Sequence, residues 1–364
     1  MTVRAVLSWI LIGFTSGAAS GAAAQIAPPT PPVQSEPQQA QAQRGPLELD
    51  VVVTDKAGHP VPGLQQSDFT LLDNKQATPI KSFRAFDNPA PTTPANNPTQ
   101  VFLVVDQVNT PFVAVSEERT QLHNYLTQNG GHLPLPVTIL FLTDTGIQKV
   151  NEPTSDGLAL DAQLQKQQST LRAIPRSAGF YGGSDRMEIS LRWLDSLAVS
   201  MGRISGRKLV VWISEGWWLF NSPNVYLSDR DRKSYFDTVV NLSAALWQAQ
   251  AVLYAVNPQG TNDAGALRNV EWEQFEKPLR DVKHSDPGDL ALQVFAIHSG
   301  GLVQYGSNDI ASEVARCVAD GSAWYALTFD PQSADTPHAW HDLEVRLDKA
   351  GLKARTRNGY YAGP

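Results

Sequence analysis

The residues best placed to do chemistry in this chain stand where apolar runs stop. VFLVVD ends on Asp106 and continues Gln107-Val108-Asn109-Thr110. A second run ends in Thr143-Asp144-Thr145-Gly146, a third in Ser214-Glu215-Gly216-Trp217-Trp218, and a fourth in Asn257-Pro258-Gln259-Gly260. Three acids (Asp106, Asp144 and Glu215), several hydroxyls and two tryptophans are thereby offered at strand ends. In an open parallel sheet, ligands gather at the carboxyl ends of the strands. Carboxylate and hydroxyl oxygens suit a hard divalent cation, with Mg²⁺ keeping some of its waters. The same acid has a plain structural use: a carboxylate at a strand end accepts hydrogen bonds from the N–H groups of the loop that follows. Both uses remain open at this point.

Aromatic residues accompany these strand ends. Trp217, Trp218 and Phe220 follow the Glu215 strand, Phe180 and Tyr181 lie in a Gly-rich segment, and Phe112 follows the Asp106 strand. Exposed together, they form an anchor patch for a protein partner, since Trp and Tyr dominate contact energetics. Buried, they are ordinary packing over helix tops. Enzyme signatures are missing: the chain has no G-x-S-x-G, H-E-x-x-H, P-loop or G-x-G-x-x-G. The seven histidines are scattered; His338 and His341 flank a turn and read as surface residues before they read as a metal pair. Asp229-Arg-Asp231-Arg-Lys reads as a solvated helix start. The expectation is no catalytic residue and no enzyme.

The elements that must position the strand ends follow from hydrophobic period. From residue 99 to 321, non-alternating apolar runs (VFLVVD, VTILFLTD, KLVVWIS, AVLYAVNP) alternate with amphipathic stretches. That pattern predicts buried parallel strands covered by helices on both faces. Helices are expected over 116–126 with Ser116 as N-cap, over 158–174, over 187–201 after a loop RSAGFYGGSD, and over 235–250, 290–298 and 309–318. Residues 47–88 and 322–364 alternate apolar and polar and predict antiparallel strands. We expect the two stretches to join in one small β-sandwich made from both chain ends, with separate appendages as the alternative. The fold class is α/β: a doubly wound, mostly parallel sheet plus that sandwich.

The chain ends and bulk composition set the compartment. Arg4, an apolar core over 5–14 and Ala22-Ala23-Ala24 form a signal peptide over residues 1–24. Residues 25–46 are a Pro/Gln-rich leader expected to be disordered. Residues 87–99 are a second linker. The core of the signal is too short to span a membrane, and no later segment reads as a transmembrane helix. The net charge is −7, with no basic stripe, which argues against nucleic acid as partner. The lone Cys317 excludes an internal disulfide and reads as a small buried hydrophobe.

Several stretches together resemble the bacterial exported VWFA-related group of von Willebrand factor type A domains: VVVTDKAGHPVPGL with Asp68-Phe69, VFLVVDQVN, KLVVWISEG, AVLYAVNPQG and RTRNGYYA. The likeness runs over roughly residues 48–362. It implies a von Willebrand A type sheet and a metal-ion-dependent adhesion site for Mg²⁺ or Mn²⁺. That family's pattern is Asp-x-Ser-x-Ser, then a loop Thr and a late Asp. Carried over here, Asp106 is the first acid, Val108 replaces the first serine, Thr110 can serve as the second, and Glu215 stands for the late Asp. The loop hydroxyl falls to Ser184, or to Ser177 or Asp185. The site is degraded, so either it holds Mg²⁺ or Mn²⁺ weakly, with water or Asn109 filling in, or it holds no ion. The implied function is an extracytoplasmic protein-binding, adhesion-type module. Its rim of Asn109, Phe180, Tyr181, Trp217 and Trp218 would meet another protein's acidic or extended surface. The alternative is a structural or assembly component of the cell envelope with a vestigial site.

Overall fold

Strand residues 101–105 alternate between two cores, and this one fact organises the molecule. The computed structural model describes residues 45–87, 99–110, 112–166, 179–217, 227–263, 271–334 and 336–362. The expected signal segment, most of the leader and most of the second linker lie outside these residues.

The strands are β1 (Leu47–Thr54), β2 (Phe69–Asp73), β3 (Gln76–Thr78), β4 (Ser82–Asp87), β5 (Gln100–Asp106), β6 (His132–Thr143), β7 (Gly146–Lys149), β8 (Thr154–Asp156), β9 (Lys208–Ile213), β10 (Ala251–Val256), β11 (Val303–Gln304), β12 (Ala323–Phe329), β13 (Ala339–Leu347), β14 (Lys353–Arg355) and β15 (Gly359–Ala362). The helices are α1 (Phe112–Thr127), α2 (Gly157–Lys166), α3 (Gly179–Met201), α4 (Asp229–Gln248), α5 (Leu292–His298) and α6 (Ile310–Ala319).

A seven-stranded sheet runs β11-β10-β9-β5-β6-β7, with β8 also paired to β6. The pairs β11–β10, β10–β9, β9–β5 and β5–β6 are parallel; β7 and β8 join β6 antiparallel. Val101, Leu103 and Val105 face a core closed by α1, α2 and α6, through Leu122, Leu160 and Val314 among others. Phe102 and Val104 face the opposite core, closed by α3, α4 and α5 through Leu194, Val240 and Phe295. Burial on both faces explains the unbroken apolar runs.

Two four-stranded antiparallel sheets complete the fold, β14-β1-β12-β4 and β15-β13-β2-β3. Each draws on both chain ends: β1 pairs with β12, and β2 pairs with β13. They share one core that includes Leu49, Val51, Phe69, Leu71, Leu327 and Leu343. The β2–β3 hairpin turns through Asn74 and Lys75, both at positive φ (49° and 68°), as a two-residue primed turn requires.

Four expectations need correction. The Gly-rich segment is not a loop throughout: residues 179–185 are the first turns of α3, with Gly182 and Gly183 buried, so packing overrides glycine's weak helix propensity. Ser116 is no N-cap, because α1 begins four residues earlier. LKARTRNGYYA is not one strand but two, β14 and β15, which belong to different sheets. His341 is no surface histidine: it is 5% exposed, its Nδ1 lies 2.9 Å from Asp73 Oδ1, and Tyr360 Oη donates to Asp73 Oδ2 at 2.7 Å. Ser228, by contrast, caps α4, accepting from the Asp231 N–H at 3.2 Å.

Candidate functional site

Counting the strands of the large sheet in chain order from β5, without β8, gives 3-2-1-4-5-6 across it, with the third antiparallel. The chain leaves β5 toward β6 on one side and returns to β9 on the other. The carboxyl ends of β5 and β9 therefore bound the crevice where such sheets bind ligands. Asp106 is the last residue of β5, and Ser214 directly follows β9.

Asp106 is fully buried and is the hub of this crevice. Its Oδ1 accepts from the N–H groups of Val108 (2.8 Å) and Asn109 (2.9 Å). Its Oδ2 accepts from Asn109 Nδ2 (2.8 Å), Trp212 Nε1 (3.1 Å) and Ser214 Oγ (2.8 Å). Asp106 shares the sheet face of Phe102 and Val104, so it points toward α3. There Asn109 Nδ2 also donates to Ser190 Oγ at 2.8 Å. Ser214 Oγ in turn accepts from the Gly216 N–H at 3.0 Å. Gly216 has φ 86°, a backbone conformation that favours glycine, and a Cβ there would also push on the Gln293 amide at 2.6 Å.

The other residues singled out from sequence are placed as follows. Thr110 is buried, and its Oγ1 has no hydrogen-bond partner among the described residues. Val108 is packed in the α3-side core. Glu215 is turned to β10's end, where Gln259 Nε2 donates to its Oε1. Ser184 is not a loop residue; it lies half-buried in α3, about 9 Å along that helix from Ser190. Asn109 is an internal hydrogen-bonding residue, 6% exposed, rather than a contact residue. Trp217 is likewise no rim residue: it is 3% exposed and packs edge-on against Trp212 at 5.3 Å. Trp218 and the side chains of Phe180 and Tyr181 lie outside the described residues.

Three functional neighbours were not singled out. Ser190 lies 81 positions from Asn109, and nothing local marks it. Trp212 sits inside an apolar strand run. Glu118 sits on α1 with no exposure, and neither carboxylate oxygen has a hydrogen-bond partner among the described residues. Burial pushes its carboxyl well above the ordinary range; the nearby Asp106 charge adds to this and Arg119 opposes it. The one available signal was its position four residues before Leu122, on the apolar stripe.

The donor set does not fit a divalent cation. Four of the five groups on Asp106 are N–H donors, which present positive hydrogens and no lone pair. Ser214, Ser190 and Thr110 offer only neutral hydroxyl oxygens, so no second carboxylate joins Asp106 in balancing a divalent charge there. Among the described residues, no group of three or more His, Cys, Asp or Glu side chains could hold a metal.

No family model matches the chain, and no curated protein matches it. Among solved structures, similar ones include the human COPII-coat protein Sec24c (9% identity, covering 73% of this chain and 44% of that chain, TM-score 0.30). Another is the pilus adhesin SpaC from Lactobacillus rhamnosus GG (12%, 83% and 49%, 0.34). A third is the hypothetical protein BatB from Bacteroides thetaiotaomicron (13%, 62% and 98%, 0.30). The chain spans less than half the length of the first two. At TM-scores this low, none of them assigns a fold or a function.

Proposed function

We propose that the chain is an exported, non-enzymatic module of von Willebrand A type that binds or assembles with another protein, without an ion at its strand-end crevice. The reading rests above all on one observation: all five donors to Asp106 come from the chain itself. An acid so engaged is poorly suited to act as a general base or to complete an ion's shell. The strand order and the antiparallel third strand support the von Willebrand A assignment. The apolar core and cleavage site within the first 24 residues support export, and no helix among the described residues is long and apolar enough to cross a membrane.

The exposed part of the rim then carries the contact. Asp144 and Thr145 are exposed beyond β6, and Tyr305 is 38% exposed just beyond β11. Without an ion, an exposed Asp144 favours a neutral or basic partner surface over an acidic one. Capture from envelope extracts tests this, using the full exported chain, with chelator present throughout. The expected result is a partner recovered by the wild type and lost with Asp144→Lys combined with Tyr305→Ala. Equal recovery by both would move the contact off the rim and favour the structural or assembly role. The burial of Trp217, which takes one aromatic anchor away from the rim, already favours that role.

A further inference from the structure

The disagreement between the acid-and-hydroxyl strand end and its N–H-rich surroundings has a local cause. We infer that the side-chain amide of Asn109 stands where a cation would bridge β5 to α3, as a built-in neutral substitute that locks this strand end. Asn109 Nδ2 lies 2.8 Å from Asp106 Oδ2 and 2.8 Å from Ser190 Oγ. One –NH₂ group thus joins an acid of β5 to a hydroxyl of α3, both wholly buried. An ion bridging the same two oxygens would stand about 2.0–2.6 Å from each. The amide has two N–H donors, and both are spent on these two acceptors.

Charge accounting gives the substitution its logic. Asp106 brings one negative charge into a buried place, and N–H and O–H dipoles meet it without adding a full charge. A divalent ion at the same point would add two positive charges against that single carboxylate, beside the three remaining N–H groups of Val108, Asn109 and Trp212, whose hydrogens repel it. Replacing Asn109 by a carboxylate reverses the balance. Two acids at close range cannot both stay ionised without a cation between them. Asp106, residue 109, Ser190 and Ser214 would then form an all-oxygen set. Asn109 is therefore the residue that decides between an internal lock and an ion site.

The inference does not require the partner contact at the rim, and its test is separate from the capture experiment. Thermal melts of the full exported chain are run in chelator and in millimolar Mn²⁺, for the wild type, Asn109→Asp and Asn109→Ala. The wild-type midpoint is expected to be the same in both conditions. Asn109→Asp should melt several degrees lower than the wild type in chelator and recover with Mn²⁺. Asn109→Ala should melt lower in both, with no response to the ion. Should Asn109→Asp fail to fold in chelator, it is expected to fold with Mn²⁺ present; Asn109→Ser, which keeps a single carboxylate, should melt lower than the wild type in both conditions with no ion response, and a wild-type melt for Asn109→Ser overturns the inference. A Mn²⁺-dependent rise in the wild type overturns the inference. So does a folded Asn109→Asp that matches the wild type in chelator, or one that no Mn²⁺ concentration rescues.

Discussion

At the residue scale, the candidate site is one carboxylate and the groups that surround it. Ser214 gives Asp106 one of its five hydrogen bonds, at 2.8 Å. Bonds to a charged acceptor are worth about 1.5–3 kcal/mol, so Ser214→Ala should lower the urea-unfolding free energy by about that amount. Asp106→Ala strands all five donors and should cost about 3–5 kcal/mol, near what breaking a buried charged network costs. A loss below about 1 kcal/mol for Asp106→Ala would deny the acid its role as hub. Glu118 makes the opposite case. Its carboxyl is raised in the folded state, so its contribution is fully present below the unfolded value of about 4.3 and is lost as pH rises. Glu118→Met removes a buried acid with no partner among the described residues. It should therefore stabilise the chain at pH 8, with the gap closing toward pH 4. A stability difference that does not change with pH would show that Glu118 ionisation is not what the fold resists. The sequence shows Asp106 plainly, because an apolar run stops on it. Ser190 could not be read, since its hydrogen bond is made across 81 residues.

At the element scale, hydrophobic period explains what was legible and what was not. KLVVWI and AVLYAV are strands over the expected residues because both faces of the sheet are covered, which only an unbroken apolar run satisfies. The start of α3 is not legible locally, because Gly182 and Gly183 argue for a loop, whereas their burial is set by the fold. The ending RTRNGYYA suggests part of one strand because both halves alternate. The break falls where Thr356 Oγ1 donates to the Asp50 carbonyl at 2.6 Å and Arg357 turns inward. The position of Trp217 after a strand suggests a rim, yet it is packed on Trp212. The β2–β3 turn is the element with room for improvement. Lys75 is exposed at φ 68°, which costs a side chain about 1 kcal/mol that glycine avoids. Lys75→Gly should raise stability by about 0.5 kcal/mol after glycine's entropy cost, read as a higher denaturant midpoint. Asn74→Gly should not, because Asn74 Oδ1 accepts from the Asp342 N–H at 3.0 Å. Equal midpoints for both variants would contradict the turn assignment.

At the scale of the molecule, the question is how the antiparallel sheets and the large sheet hold together, and buried cations answer it. Helices α3 to α6 end near the starts of the parallel strands, presenting unsatisfied carbonyls and the negative ends of their dipoles. Lys208 Nζ donates to Ala249 O at 2.9 Å and to Ile204 O, beyond the ends of α4 and α3. Arg357 donates to Leu246 O (3.1 Å) and Ala251 O (2.6 Å), Arg355 to Gly300 O (2.6 Å) after α5, and Arg207 to Asp320 O (2.8 Å) after α6. Arg355 and Arg357 come from β14 and the segment after it, so the small sheets supply cations that cap helices of the large one. Asp50 of β1 lies 3.2 Å from Arg207, and burial raises its carboxyl against the pull of Arg207 and Arg357. The guanidinium of Arg357 also lies 5.1 Å over the ring of Trp247, an α4 residue inside the small-sheet core. A joint built this way should melt with the layers it joins. Guanidinium unfolding of the full chain, followed by tryptophan fluorescence and by far-ultraviolet circular dichroism, should give one coincident transition. Arg357→Met keeps most of the volume but leaves two carbonyls without a donor and Asp50 with one cation fewer, and should cost about 3–5 kcal/mol. Arg357→Lys should recover only part of that, since a lysine cannot reproduce the planar fork and its stacking. An Arg357→Met midpoint equal to the wild type's, or two separate wild-type transitions, would mean that the sheets are held by their apolar contacts and that the cations merely line the seam.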